Sequence, residues 1–142
     1  MGLTVLSSLT IDHPGGGTRT LQLCQGDLSN MSPADQVNIL VVSALPGDYS
    51  PSQGSLIGAL YNKGVSVQQL STNKAHCYEP VLPTWISQPI TNPQPGIEFN
   101  QIMVYEPANP ATTSAQLVGA IFTSLQAFQG TTVTTVAMPL VS

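Results

Sequence analysis

Residues 37–60, VNILVVSALPGDYSPSQGSLIGAL, constrain this chain more than any other stretch. Residues 37–44 are an almost unbroken run of apolar β-formers, which is how a strand covered on both faces reads. A loop rich in Gly, Ser and Pro follows, and then the start of a helix. In that order the helix N-terminus faces the loop with backbone N–H groups that have no intrahelical acceptor and with the positive end of its dipole. Such a junction is suited to an anion, so a phosphate-bearing ligand is the first functional expectation. The plain alternative is a Ser-capped helix after an ordinary surface loop.

The rest of the chain supplies the setting for that strand. Leu3, Val5, Leu9 and Ile11 alternate with polar residues, HPGGG at 13–17 breaks the run, and TRTLQLCQ at 18–25 restores the alternation. Two strands joined by a Gly-rich turn are therefore expected. SPAD at 32–35 suits one helical turn, with Pro at the first helical position. Leu56, Ile57 and Leu60 form one stripe of a short helix that Gly64 stops, and 66–73 adds another turn or two. Five prolines between 80 and 95 exclude a long helix, leaving Trp85-Ile86 for a short edge strand or a packed loop. EFNQIMVYE at 98–106 reads as a strand, 111–128 as the best helix, and 132–138 as a last strand. Alternation of strands and helices predicts an α/β domain, its mixed, largely parallel sheet covered by helices, with ligands beyond the C-terminal strand ends.

With 142 residues, 42% of them hydrophobic, the chain accommodates one domain with a real core. Three bases against seven acids give a net charge of −4, which cannot form the basic patch that nucleic acid requires. No apolar run approaches the roughly 20 residues of a membrane span, and MGLTVLSSLT lacks the order of a signal peptide. A cytoplasmic protein with reduced Cys24 and Cys77 is expected, with no membrane partner. His13, Cys24, His76 and Cys77 match no zinc spacing, and nothing in the chain calls for a metal or a cofactor. Adjacent His76 and Cys77 point to opposite sides of an extended segment, a poor geometry for a nucleophile and its base.

The loop itself, GDYSPSQGSLIG, is neither a Walker loop nor a G-x-G-x-x-G turn. A helix dipole contributes about 0.3–1 kcal/mol at an exposed site, whereas micromolar binding requires about 8 kcal/mol. A second contact, to a ring or a sugar, has to supply the difference. Asp27, after Gly26 at the end of a strand, is a candidate for it; the plain alternative is a turn residue holding a nearby backbone N–H. Asp48 and Tyr49 also lie in the loop, but a carboxylate repels a phosphate, so Asp48 is expected to face solvent or orient an amide.

Three segments, in chain order, resemble the macro domain, a family that binds ADP-ribose and related nucleotides. LQLCQGDL at 21–28 resembles its early strand ending in Gly-Asp-Ile/Leu. Residues 37–60 resemble its strand, glycine-rich loop and Gly-Ala-Ile/Leu helix start, here Gly58-Ala59-Leu60. TVTTVAMPLVS at 132–142 resembles its late strand running into Pro and a small hydroxyl residue. The resemblance implies a single three-layer α/β/α macro-like domain over 1–142, without the family's last helix and strand, as a minimal variant or a fragment. It implies that Asp27 contacts the adenine amine and Leu28 the ring. Ser43 and Ala44 would lie at the strand end, with Ser52, Gln53, Gly54, Ser55 and Leu56 forming the first diphosphate loop.

Two departures bear on chemistry. Ser43-Ala44-Leu45-Pro46 stands where hydrolytic members have Asn-Ala-Ala-Asn, and no acid lies between Gly54 and Ala59, where some carry a catalytic Asp. The expected function is thus a module that binds ADP-ribose or a related nucleotide as a sensor or recognition domain. One alternative is an ADP-ribosyl hydrolase using Asp48 or Tyr49. The other is a degenerate domain, free of ligand, that serves contact with a protein partner.

Overall fold

A computed structural model of the chain describes residues 2–107, 109, 111–128 and 135–139. Its strands fall into two separate sheets. β1 (Thr4–Asp12) and β2 (Thr18–Gln25) pair antiparallel with each other, forming a two-stranded arm. After a 3-10 turn at Pro33–Asp35 come β3 (Val37–Ser43), α1 (Leu56–Asn62), α2 (Val67–Leu70), β4 (Lys74–Cys77), β5 (Thr84–Ser87), β6 (Phe99–Tyr105), α3 (Ser114–Ala127) and β7 (Val136–Ala137). The second sheet has the order β4-β5-β6-β3-β7. β3 runs parallel to β6 and β7, whereas β5 is antiparallel to both β6 and β4.

The core follows from the apolar content of β3 and β6, which have residues to bury on both faces. Leu40, Val42, Ile102 and Val104 pack with Trp85 and with Ile57, Leu60 and Val67 of the two short helices. Ile39, Val41, Ile86 and Met103 pack with Leu117, Ile121 and Phe128 on the side of α3. The helices are set by their caps. Ser55 Oγ accepts from Gly58 N at 3.0 Å, and Ser66 Oγ from Gln69 N at 3.2 Å. Thr113 and Gln116 cap reciprocally at 3.2 and 2.9 Å, satisfying donors that the first turn leaves open. α1 stops before Gly64, whose φ of +82° suits a residue without Cβ.

The three-layer α/β/α macro-like architecture is not what the chain forms. The first two strands stay apart in a sheet of their own instead of joining the central one. Helices of seven and four residues lie toward one face and a single 14-residue helix toward the other, in place of two helical layers. Prolines supply part of the reason. Residues 80–95 cannot form a crossover helix, and the strand they hold, β5, pairs antiparallel with both β4 and β6. Trp85 and Ile86 lie in β5, inside the sheet between β4 and β6, where neither has any exposure. The expected last strand survives among the described residues as Val136–Ala137, and 132–134 lie outside them. Among the described residues, no helix is long and apolar enough to cross a membrane.

Candidate functional site

Where β3 and β6 end side by side, Ala44 N donates to Tyr105 O at 3.0 Å and the chain enters the loop of residues 44–55. A tight turn opens it, with Asp48 N bonded to Leu45 O at 3.0 Å and Gly47 at φ +70°. Glu106, the residue after β6, fastens this turn to the sheet. Its carboxylate, 4% exposed, accepts from Gly47 N at 2.8 Å, from the Tyr49 hydroxyl at 2.9 Å to each oxygen, and from Trp85 Nε1 at 2.6 Å. A carboxylate has lone pairs for all three donors, so its burial is compensated. Tyr49 meets Trp85 edge-on, with ring centroids 5.8 Å apart, and Lys74 Nζ lies 5.1 Å from the centre of the Trp85 ring.

Beyond the turn, residues 51–55 and the α1 residues Gly58, Ala59, Tyr61 and Asn62 line an open depression. Ser55 is the hinge. Its N–H and its hydroxyl donate to Ser52 O at 3.2 and 2.7 Å, while its oxygen caps Gly58 N. A Cβ at position 58 would collide with the Ser52 carbonyl, which is why the helix start requires Gly58. The amides of Gln53 and Gly54 donate to no acceptor among the described residues. Tyr61, on the rim, is 55% exposed.

The expected site residues divide between two ends of the sheet. Ser43 is exposed at the end of β3, Ala44 packs half-buried on the core, and Leu56 does the same from the first turn of α1. Ser52 to Ser55 join them at this C-terminal end. Asp27 and Leu28 lie at the opposite one. They precede Met31, whose N–H bonds Gly96 O just before β6, and Val37 N bonds Glu98 O there. The C-terminal end of α1 lies there too, with Lys63 Nζ on Pro95 O at 3.3 Å. A strand of seven residues spans roughly 20 Å, so Asp27 does not share a pocket with the loop. Asp27 Oδ1 accepts from Ser29 Oγ at 2.6 Å and Ser29 N at 2.8 Å. The Ser29 hydroxyl first, and then its amide, hold the carboxyl below the usual carboxylate value. Leu28 packs against the core. The turn reading of Asp27 is the one its geometry fits.

Asp48 takes an equivalent turn, accepting from Ser50 Oγ at 2.6 Å and Ser50 N at 3.1 Å, and the hydroxyl lowers its pKa. Burial first, and then the bond to Glu106, push the Tyr49 phenol up to about 12. Neither group is poised to exchange a proton near neutral pH. His76 packs edge-on to Phe128 at 4.7 Å, whereas Cys77 Sγ donates to Glu79 Oε2 at 3.7 Å, so the neighbours keep separate partners. Among the described residues, no three His, Cys, Asp or Glu side chains gather where a metal could be held.

Glu106 and Tyr61 are additions that the pattern of residues did not reveal. The trace of Glu106 was an acid directly after the apolar run IMVY; that of Tyr61 was its place off the Ile57-Leu60 stripe. No protein family, curated protein or solved structure matches the chain. The loop therefore has to be interpreted from its own chemistry.

Proposed function

We propose that the chain is a binding module for ADP-ribose or a related nucleotide, which it holds by its phosphates at residues 52–55. The observation that carries this reading is the pair of unbonded amides, Gln53 and Gly54, beside a depression at the C-terminal end of a buried strand. Backbone amides hold a phosphate without a basic side chain, in keeping with a chain that has only three bases. The ring contact falls to Tyr61, exposed on the rim of the same depression. Stacking of a base on an aromatic side chain contributes about 1–3 kcal/mol, the kind of term that phosphate contacts alone lack. Asp27 takes no part.

Calorimetric titration with ADP-ribose, ribose 5-phosphate and adenosine tests the reading. ADP-ribose is expected to bind more tightly than either fragment. Tyr61→Ala should weaken ADP-ribose at least about fivefold, and Asp27→Ala should leave it unchanged. Absence of both heat and thermal shift at millimolar ADP-ribose would overturn the proposal. Retained affinity in Tyr61→Ala with a loss in Asp27→Ala would return the ring to the other end of the sheet.

A further inference from the structure

The depression beside residues 52–55 is lined without a single Asp, Glu, Lys, Arg or His. Its donors are hydroxyls, carboxamides and backbone amides, all of them neutral. The chain's three bases are committed elsewhere. Arg19 stands in the arm, opposite Ile11, with Nη1 on Thr18 O at 3.1 Å. Lys74 pairs with Glu79 at 3.6 Å beside the Trp85 ring. Lys63, although next to Asn62, turns its Nζ to Pro95 O. The acids that face the loop are Asp48, which holds the Ser50 hydroxyl, and Glu106, buried behind Gly47 and Tyr49.

We propose that the site selects ligands whose phosphates are all internal, a diphosphate esterified at both ends, and rejects those that end in a free phosphate. The inference rests on the nucleotide-binding reading above and narrows it. Each phosphate of a doubly esterified diphosphate carries one charge, whereas a terminal phosphate carries up to two, its second proton leaving at about pH 6. Neutral donors hold an anion by hydrogen bonds and dipoles without cancelling its charge. A first charge is held in this way, but a second meets no cation and adds to a net charge of −4. Asp48, in the same loop, strengthens the repulsion. The Ser50 hydroxyl lowers its pKa, so it stays ionised throughout the range in which a terminal phosphate titrates.

Calorimetric titration of ADP-ribose and ADP between about pH 5 and pH 8 tests the selection. The two ligands share everything up to the second phosphorus and differ in whether it is capped. At the alkaline end ADP-ribose should bind at least about tenfold more tightly than ADP. Toward the acid end the terminal phosphate of ADP takes up a proton, and ADP should gain at least about tenfold while ADP-ribose changes less than about twofold. A gain shown by ADP alone comes from its own phosphate, because His13, in the turn of the arm, and His76, against Phe128, would act on both ligands. Asn62→Lys places a cation in the lining and should bring ADP at the alkaline end to within about threefold of ADP-ribose. Lys63→Gln should leave the ratio as it is. Equal binding of the two ligands at every pH overturns the selection and leaves the nucleotide reading standing. So does an advantage for ADP-ribose that persists undiminished in acid. No binding of ADP-ribose at any pH overturns both.

Discussion

In β3, Leu40 and Val42 pack toward α1 and α2 while Ile39 and Val41 pack toward α3, and none of the four has any exposure. In the arm, Leu9 and Leu21 oppose each other in a ladder that runs in register from Ser7 to Asp12, and are 57% and 58% exposed. Both regions are built from β-formers in register. They differ in what lies beside them. β3 has β6 and β7 at its edges and helices toward both faces, whereas β1 and β2 have only each other. Hydrophobic patterning specifies that a strand forms, and neighbours decide how much the strand stabilises.

The contrast is sharpest under truncation. Ile102→Ala in β6 should cost about 2–5 kcal/mol, the range for deleting a fully buried aliphatic side chain. Leu21→Ala in the arm should change the stability of the dilute chain by less than about 0.5 kcal/mol. Urea denaturation of the two variants gives both numbers, and a similar loss in both would remove the distinction. Next in size is the polar anchor. Glu106→Leu leaves Trp85 Nε1, the Tyr49 hydroxyl and Gly47 N without their acceptor, and should cost about 3 kcal/mol. A change below about 1 kcal/mol in the same assay would show that water or another group serves these donors equally well.

Alkali should act on the body alone. Tyr49 has a folded-state pKa of about 12 against an ordinary 10.0. A raised pKa means that its contribution is complete below pH 10 and is lost as pH rises through 12, up to about 2.5 kcal/mol. Stability measured from pH 9 to 12 should fall in the parent chain, and Tyr49→Phe should remove that part of the fall. Acid should act on the base of the arm. The Leu3 amide first, and then the Ser32 hydroxyl, hold the Asp35 carboxyl below its usual 3.8. Its contribution is present above that value and disappears as pH falls through the lowered pKa. Exchange of the Leu3 amide should quicken over that interval while amides of β3 do not respond; equal responses would mean that the arm and body open together.

Much of the element order could be read from residues. Continuous apolar β-formers gave away β3 and β6, the HPGGG break separated β1 from β2, and Leu117, Ile121 and Phe128 in helical register marked α3. Architecture was harder, because alternation in 3–25 is identical for a strand that joins a central sheet and one that stands apart. β4 and the interior position of β5 depend on pairing partners distant in sequence, and local pattern does not encode them. The loop at 52–55 could be placed after a buried strand from its small residues alone. Its separation from Asp27 could not, since the distance depends on which end of β3 the turn at Ser29 reaches. The role of Glu106 is hidden for a similar reason: an acid after a strand reads as solvent-facing, and the donors around it, Trp85, Tyr49 and Gly47, are distant in sequence.

Residue-resolved hydrogen exchange on the dilute chain tests the difference between body and arm most directly. Amides of β3 and β6 should exchange only through global unfolding, whereas those of β1 and β2 should exchange by local opening, at least about a hundredfold faster. An arm as strongly protected as β3 at the lowest concentration would contradict the account, for it would mean that the arm is docked against its own body.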